Sequence, residues 1–123
     1  MTMTDTATTL YSFWSSFGIP AYPEYNVPDG ATMPYITYEI TEPEWRSQIN
    51  AYARVWYRDT SYVSIASTLD NISNRIGEGV LLPSGEGFIL LFKDSQFIQF
   101  QPYEVDSDVK IAYLSMIMEN NNK

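Results

Sequence analysis

The sequence predicts an α+β fold, in which a mostly antiparallel sheet carries two helices on one face in the order α-β-β-α-β-β-β. The first observation behind this prediction is a stretch from Asp59 to Gly79 whose apolar residues recur at steps of three and four, as on one face of an α-helix. The second is that the sequence on both sides of this stretch alternates as β-strands do. A helix with one apolar face must bury it, so we expect this helix to pack on the sheet.

The two predicted helices have recognisable ends. The first begins at Asp5, whose carboxylate can cap it, and continues to about Phe17, just before Gly18. The second can be capped by side-chain oxygens of residues 59–61 and can end at Gly77 in the left-handed conformation. Its predicted buried face consists of Tyr62, Ile65, Leu69, Ile72 and Ile76.

Strand-like alternation and turn residues divide the rest of the chain. The proline-rich segment from Ala21 to Pro34 is predicted to be a loop. Asp94 and Ser95 are predicted to reverse the chain, so that the strand after them pairs with the strand before them. The first two predicted strands are expected to form a long antiparallel hairpin. The predicted strands are Tyr35–Ile40, Gln48–Tyr57, Val80–Leu82, Gly87–Lys93, Phe97–Gln101 and Val109–Met118.

The length of 123 residues predicts a single domain, 1–123, with loose ends at about 1–4 and 119–123. The first residues lack the basic start and apolar run of a signal peptide. No apolar run approaches the roughly 18 residues of a membrane span. We therefore expect a protein that stays in the cytoplasm or is assembled there, with no membrane contact.

The missing residue types restrict the chemistry. The chain has no cysteine and no histidine, which removes thiolate chemistry and the commonest general base and metal ligand. The serines of the central helix have no histidine partner, and no motif surrounds the lysines Lys93, Lys110 and Lys123. We therefore expect no enzymatic activity and no cofactor.

Carboxylates remain as the only acid–base groups. Glu104, Asp106 and Asp108 alternate, which in extended chain puts them on one side, where they could ligate Ca²⁺. The glycine and bidentate glutamate of an EF-hand loop are missing, so a solvated acidic turn is the favoured interpretation and no metal is expected. The net charge of −8 argues against specific nucleic-acid binding, which needs basic groups facing the phosphates.

Aromatic residues are more numerous than one small core needs, with ten tyrosines, six phenylalanines and three tryptophans. We expect some of them to lie at protein contacts, where rigid aromatic surface is favoured. Trp45, in a charged turn, either folds back onto the sheet or anchors a partner. The candidate contact residues are Tyr25, Trp45, Tyr52 and Trp56.

The chain resembles the tail terminator, tail-completion and neighbouring minor structural proteins of long-tailed bacteriophages. The resemblance covers roughly Leu10 to Glu119 and rests on the order of elements, with MPYITYEI (33–40) before a long strand as the most telling local pattern. It transfers no site residue by motif. Its parts are FGIPAYPEYNVPDG (17–30), the hairpin 34–58, SYVSIASTLDNISNRIG (61–77), GFILLF (87–92) and VKIAYLSMIM (109–118).

The resemblance implies a non-enzymatic virion protein, found at the tail end or neck and assembled in the host cytoplasm. It implies a homo-oligomeric ring, often a hexamer, whose partners are the tail tube protein and the head connector or stopper protein. Because DNA passes through such a ring, we expect carboxylates to line the hole and repel the phosphates. The alternative is that these acids only aid solubility. The candidates are Glu42, Glu44, Glu104, Asp106 and Asp108.

Two other classes of function remain open. One is a small acidic inhibitor or adaptor that binds a basic protein partner, and a stable monomer that captures a cationic partner would favour it. The other is an enzyme that uses carboxylates alone, which metal-dependent turnover would favour.

Overall fold

The computed structural model describes residues 3–41, 47–58, 61–85, 87–103, 105–106 and 108–120. These residues form a mixed α/β fold with two helices and a six-stranded sheet. In chain order the elements are α1 (Met3–Trp14), a 3₁₀ turn (Ser15–Phe17), β1 (Ala21–Pro23), β2 (Tyr35–Tyr38), β3 (Gln48–Arg58), a 3₁₀ turn (Tyr62–Ile65), α2 (Ala66–Ile76), β4 (Val80–Ser84), β5 (Gly87–Pro102) and β6 (Val109–Asn120).

The sheet is mostly antiparallel, as predicted. Its spatial order is β1-β2-β3-β6-β5-β4, and all neighbours are antiparallel except β1 and β2. The predicted hairpin is confirmed, because β2 and β3 pair from Tyr35↔Trp56 to Tyr38↔Ala53. The sheet has six strands, one more than the predicted order α-β-β-α-β-β-β. The six strand segments predicted from the sequence do not match them one to one, because 87–93 and 97–101 belong to a single strand, β5, and β1 was not predicted.

The hydrophobic core lies between the helices and one face of the sheet. Trp14 of α1 stacks on Tyr38 of β2, with ring centroids 6.4 Å apart. Ser73 of α2 accepts a hydrogen bond from Lys93 Nζ of β5 at 2.8 Å. The strand register places Tyr38 and Lys93 on the same face, so both helices contact this face. The sheet's part of the core includes Ile36, Ala53, Val55, Leu82, Ile89, Leu91, Leu114, Met116 and Met118.

The predicted buried face of the central helix is confirmed at four of its five positions and wrong at Tyr62. Ile65, Leu69, Ile72 and Ile76 are buried as expected. Tyr62, in contrast, is 55% exposed, and its ring contacts that of Phe100 in β5, with 4.9 Å between the centroids. Residues 62–65 form a 3₁₀ turn before α2. Ser61 Oγ caps this turn by accepting a hydrogen bond from the Val63 amide at 3.2 Å.

The predicted reversal at Asp94 and Ser95 is wrong. β5 continues in one direction for 16 residues and pairs with β6 on both sides of an irregularity. The register changes from Lys93↔Met116 to Ile98↔Leu114, so the residues between form a bulge. Asp94 holds this bulge in place, because its carboxylate accepts hydrogen bonds from the Ser95 amide and, at 3.2 Å, from Ser115 Oγ.

The predicted loop from Ala21 to Pro34 contains a short strand at its start. β1 pairs in parallel with β2 and is the outer strand of the sheet. Pro23 is tolerated there because an outer strand needs no amide donor on its open side. At the other end of the chain, β6 continues to Asn120, which is buried, so residues 119 and 120 belong to the sheet and not to a loose end. Similarly, α1 begins at Met3.

Candidate functional site

The side of the sheet away from the helices is the strongest candidate for a functional surface. Along β3, Ala51, Ala53, Val55 and Tyr57 are buried in the core, so the alternate residues point to the other side. In the described part of the chain no helix covers that side. We call this surface the open face and define it by Tyr22, Glu24, Tyr35, Thr37, Tyr52, Arg54, Trp56, Gln99, Tyr103, Tyr113 and Ser115.

Four rings form a continuous aromatic row on the open face. Tyr22 lies 5.7 Å from Tyr35, Tyr35 stacks on Trp56 at 6.3 Å, and Trp56 meets Tyr103 at 5.5 Å, measured between ring centroids. All four rings are half-buried. Trp56 Nε1 donates a hydrogen bond to Thr37 Oγ1 at 2.9 Å, which fixes the orientation of the indole. The rings thus hold one another in a rigid arrangement that still exposes apolar surface.

An ion pair lies beside the aromatic row. Arg54 of β3 pairs with the Glu24 carboxylate at the end of β1, and both side chains are about 70% buried. The Arg54 guanidinium also lies 4.8 Å from the ring centroid of Tyr113, which in turn lies 5.4 Å from Tyr52. Because each charge has a partner, this part of the open face is rigid and nearly neutral.

Burial sets the protonation of two of these phenols. It raises the pKa of Tyr35, and neighbouring phenols add to the effect. Burial also raises the pKa of Tyr113, although the Arg54 guanidinium acts in the opposite direction. Both hydroxyl groups therefore stay protonated at neutral pH. The open face accordingly offers hydrogen-bond donors and ring surface, and not a phenolate base.

Two shallow depressions interrupt the open face. One, of about 240 Å³, is lined by Glu24, Val27, Tyr35, Thr37, Arg54 and Trp56. The other, of about 200 Å³, is lined by Asp94, Ser95, Gln96, Gln99, Tyr113 and Ser115. Their linings provide rings, hydroxyls, amides and paired charges. This arrangement can receive a protruding side chain of a partner.

The structure brings two of the predicted contact residues together. Tyr52 and Trp56 both lie on the open face. Tyr25 lies in the turn after β1, follows Glu24 in sequence and is 80% exposed. Trp45, the fourth candidate, lies outside the described residues, as do Glu42, Glu44 and Glu104. Their predicted roles stay predictions.

The two described acidic candidates lie in the turn between β5 and β6. One carboxylate oxygen of Asp106 accepts a hydrogen bond from Arg58 at 3.0 Å, and the other accepts the Asp108 amide at 3.0 Å. The Asp108 amide first and the Arg58 guanidinium second hold the pKa of Asp106 below its usual value. Asp106 is therefore occupied in shaping the turn. Among the described residues, no three acidic side chains are grouped so as to hold a metal ion.

Two polar contacts between distant parts of the chain were not predicted from the sequence. The Lys93–Ser73 hydrogen bond joins residues of β5 and α2, and the Lys93 ammonium also lies 5.2 Å from the Phe97 ring. This pair ties α2 to the sheet. The Arg54–Glu24 pair joins residues 30 positions apart in sequence. The sequence did indicate the side of β3 on which Arg54 lies, because Arg54 alternates with Tyr52 and Trp56.

Comparison with models of known protein families found no match, and comparison with curated protein sequences found no match either. Within the described residues, no helix has the length and apolar character needed to cross a membrane.

Proposed function

We propose that this chain is a non-enzymatic virion protein of a long-tailed bacteriophage or prophage. In this proposal it is a tail terminator or tail-completion protein that forms a ring, often of six copies, at the end of the tail. Its partners are the tail tube protein and the head connector or stopper protein, and it is located at the neck of the particle after assembly in the host cytoplasm. The resemblance in the order of elements is the origin of the proposal.

The observation that carries the proposal is the open face. It presents a rigid, half-exposed aromatic row beside a neutralised ion pair, on a sheet whose other side is filled by the core. Rigid rings lose little conformational entropy on contact, so such a surface favours binding to another protein surface. The depressions beside the row are lined by rings, hydroxyls, amides and paired charges, a lining that suits contact with a protein side chain.

The outer strands of the sheet are poorly suited to form the subunit contact. β1 has three residues and includes Pro23, and β4 has five residues and includes Pro83. Short, proline-containing outer strands are a common means by which proteins avoid pairing between sheets. We therefore place the ring and tail contacts on the open face and not on β1 or β4.

The proposal is tested by mixing the purified protein with assembled tail tubes of a long-tailed phage and measuring the bound mass by sedimentation and electron microscopy. A ring at one end of each tube is expected. Tyr52→Ser, on the open face, should weaken binding at least about tenfold, because rigid rings dominate such contacts. Tyr11→Ser is the matched control, since Tyr11 is 55% exposed on α1, in the helix layer.

Two outcomes would count against the proposal. A protein that stays monomeric and does not bind tail tubes from any candidate phage is not a tail terminator. A monomer that instead captures a basic protein partner would favour the acidic adaptor, the alternative that the net charge of −8 suggests.

A further inference from the structure

The second half of β5 has an unpaired edge. β5 is 16 residues long, but β4 pairs with it only from Gly87 to Leu91. Beyond Leu91, β5 continues to Pro102 with β6 on one side, and in the described part of the chain no strand pairs with it on the other. Residues 99–102 are exposed. A row of backbone amides and carbonyls is thus available to another strand.

This edge lacks the features that normally prevent pairing. From Ser95 to Tyr103 the chain contains no charged residue, although 18% of its residues are charged overall. The regular part alternates as Ile98, Gln99, Phe100 and Gln101, without a lysine or proline until Pro102. Proteins usually protect exposed edges with charges or prolines, as β1 and β4 are protected here. An edge without such protection, in a stretch of low charge and high β-propensity, is suited to pairing with another chain.

Exposed apolar groups border the edge on the helix side. The Phe100 side chain is 48% exposed, and its ring lies 4.9 Å from that of Tyr62, which is itself 55% exposed. Val63, next to Tyr62, is 73% exposed. A strand added to β5 would therefore find apolar surface beside it, which adds to the backbone hydrogen bonds.

We propose that this edge of β5 pairs antiparallel with the same edge of a second copy of the chain, about a two-fold axis at Gln99. This register places Ile98 of one copy opposite Phe100 of the other, twice, on the helix side of a continuous sheet. Gln99 then lies opposite its own equivalent on the open-face side, where two amide side chains can hydrogen-bond. The edge is therefore self-complementary, as a two-fold contact requires.

Charge also favours a second copy as the occupant. Each chain has a net charge of −8, so two copies repel each other at most points of their surfaces. The stretch from Ser95 to Tyr103 lets two copies approach without a charged residue in the paired strands. We expect the dimer to become tighter when salt is added, because salt screens the charges on the rest of the two chains.

This inference goes beyond the proposed function. The contact closes at two copies, whereas a ring needs a head-to-tail contact that repeats. Its failure would leave the tail-terminator proposal untouched, and failure of tail binding would leave the dimer untouched.

Single cysteines test the register, because the chain has no cysteine of its own. In the proposed pairing the two Gln99 Cβ atoms are about 5 Å apart, close enough for Gln99→Cys to form a disulfide between copies after a small adjustment. The matched control is Gln101→Cys in the same strand, whose two copies would be about 14 Å apart. We expect a disulfide-linked dimer from the first variant and monomer from the second, on non-reducing gels and by mass. Equal linkage of both variants, or linkage of neither, would overturn the proposal.

Charge variants test the pairing without a covalent bond. Gln99→Lys and Gln99→Glu each place like charges opposite each other and should raise the dimer dissociation constant about fivefold, whereas a mixture of the two should form heterodimers again. Gln99 is exposed, so at dilutions where the wild type is monomeric the thermal unfolding of each variant alone should match that of the wild type. A wild-type protein that sediments as a monomer at high concentration and in high salt would refute the contact.

Discussion

Gly18 shows how a single residue ends an element. It follows the 3₁₀ turn after α1 with φ at +86°, in the left-handed region that residues with a Cβ rarely adopt. A Cβ added at Gly18 would meet no atom within 4 Å, so the space around it is open. Any cost of a side chain at this position therefore comes from the backbone conformation alone.

We predict that Gly18→Ala lowers the free energy of unfolding by about 1 kcal/mol, because alanine must adopt the strained left-handed conformation. Gly30→Ala is the matched control. A Cβ at Gly30 would also meet nothing within 4 Å, and Gly30 is not among the glycines with positive φ. This control should be neutral or slightly stabilising, because alanine restricts the unfolded chain. Urea unfolding of both variants measures the difference, and equal effects would contradict the assignment.

At the scale of single residues, the sequence correctly predicted helix ends at which a glycine adopts a positive φ. Gly18 and Gly77 were both predicted to end helices, and both have positive φ. The left-handed conformation predicted for Gly77 is wrong, because its ψ is −129°, whereas Gly18 does adopt that conformation. Tyr62 was predicted to be buried because it continues the apolar spacing of Ile65 and Leu69, yet it is 55% exposed. Apolar spacing identifies one face of a helix, but how far that face is covered at its first turn depends on the elements packed against it.

At the scale of elements, α1 is attached to the sheet through an aromatic contact with a titratable partner. Trp14 stacks on Tyr38 of β2, and both rings are almost fully buried. Burial raises the pKa of Tyr38 to about 12. Below pH 10 the phenol is protonated in both the folded and the unfolded chain. Between pH 10 and about 12 the unfolded chain loses this proton first, so the folded state becomes less stable as the pH rises.

We predict that Tyr38→Phe reduces this alkaline loss of stability. Between pH 9 and pH 11, the wild type should lose roughly 1 kcal/mol more of its free energy of unfolding than the variant does. The other tyrosines are present in both proteins, so the difference isolates Tyr38. Chemical unfolding at the two pH values gives the answer. Identical losses in the two proteins would show that the Tyr38 phenol ionises as freely in the folded state as in the unfolded one.

The long strands were predictable as elements, but their partners were not. The alternation in β3 and β6 identified the strands and the buried face of β3, because a two-residue period is a local property. The turn signal at Asp94 and Ser95 was misleading, since a bulge uses the same residue types as a reversal. Only the register with β6 distinguishes the two. β1 escaped prediction for a similar reason, because its three residues become a strand only through their pairing with β2.

The candidate site shows the same contrast between local patterns, which the sequence reveals, and pairing between strands, which it does not. The aromatic residues of β3 were found from their alternation opposite the buried face. The Glu24 partner of Arg54 comes from β1, a strand that the sequence did not reveal. The unpaired edge of β5 was likewise hidden, because it exists only where one strand of the sheet is longer than its neighbour.

At the scale of the whole molecule, the acidic excess bears on the proposed passage of DNA. Duplex DNA carries one negative charge per about 1.7 Å of its axis, so basic groups around it would form many contacts and slow its movement. The two acids described in the turn between β5 and β6 differ in how their carboxylates take part in the contacts of the turn. The Asp106 carboxylate is bound by Arg58 and by the Asp108 amide. Asp108 is exposed and contributes its backbone amide, not its carboxylate, to these contacts.

We predict that Asp108→Lys slows or blocks DNA ejection from assembled particles if this turn lines the hole of the ring, because lysine would attract the phosphates that aspartate repels. The turn should keep its shape, since the Asp108 amide can still donate to Asp106. Asp70→Lys is the matched control, with the same change in charge at an exposed position on α2. Equal ejection rates for the two variants would show that this turn does not face the DNA. Binding of duplex DNA by the wild-type protein near physiological salt would count against repulsion altogether, since within about 8 Å such charges are only partly screened.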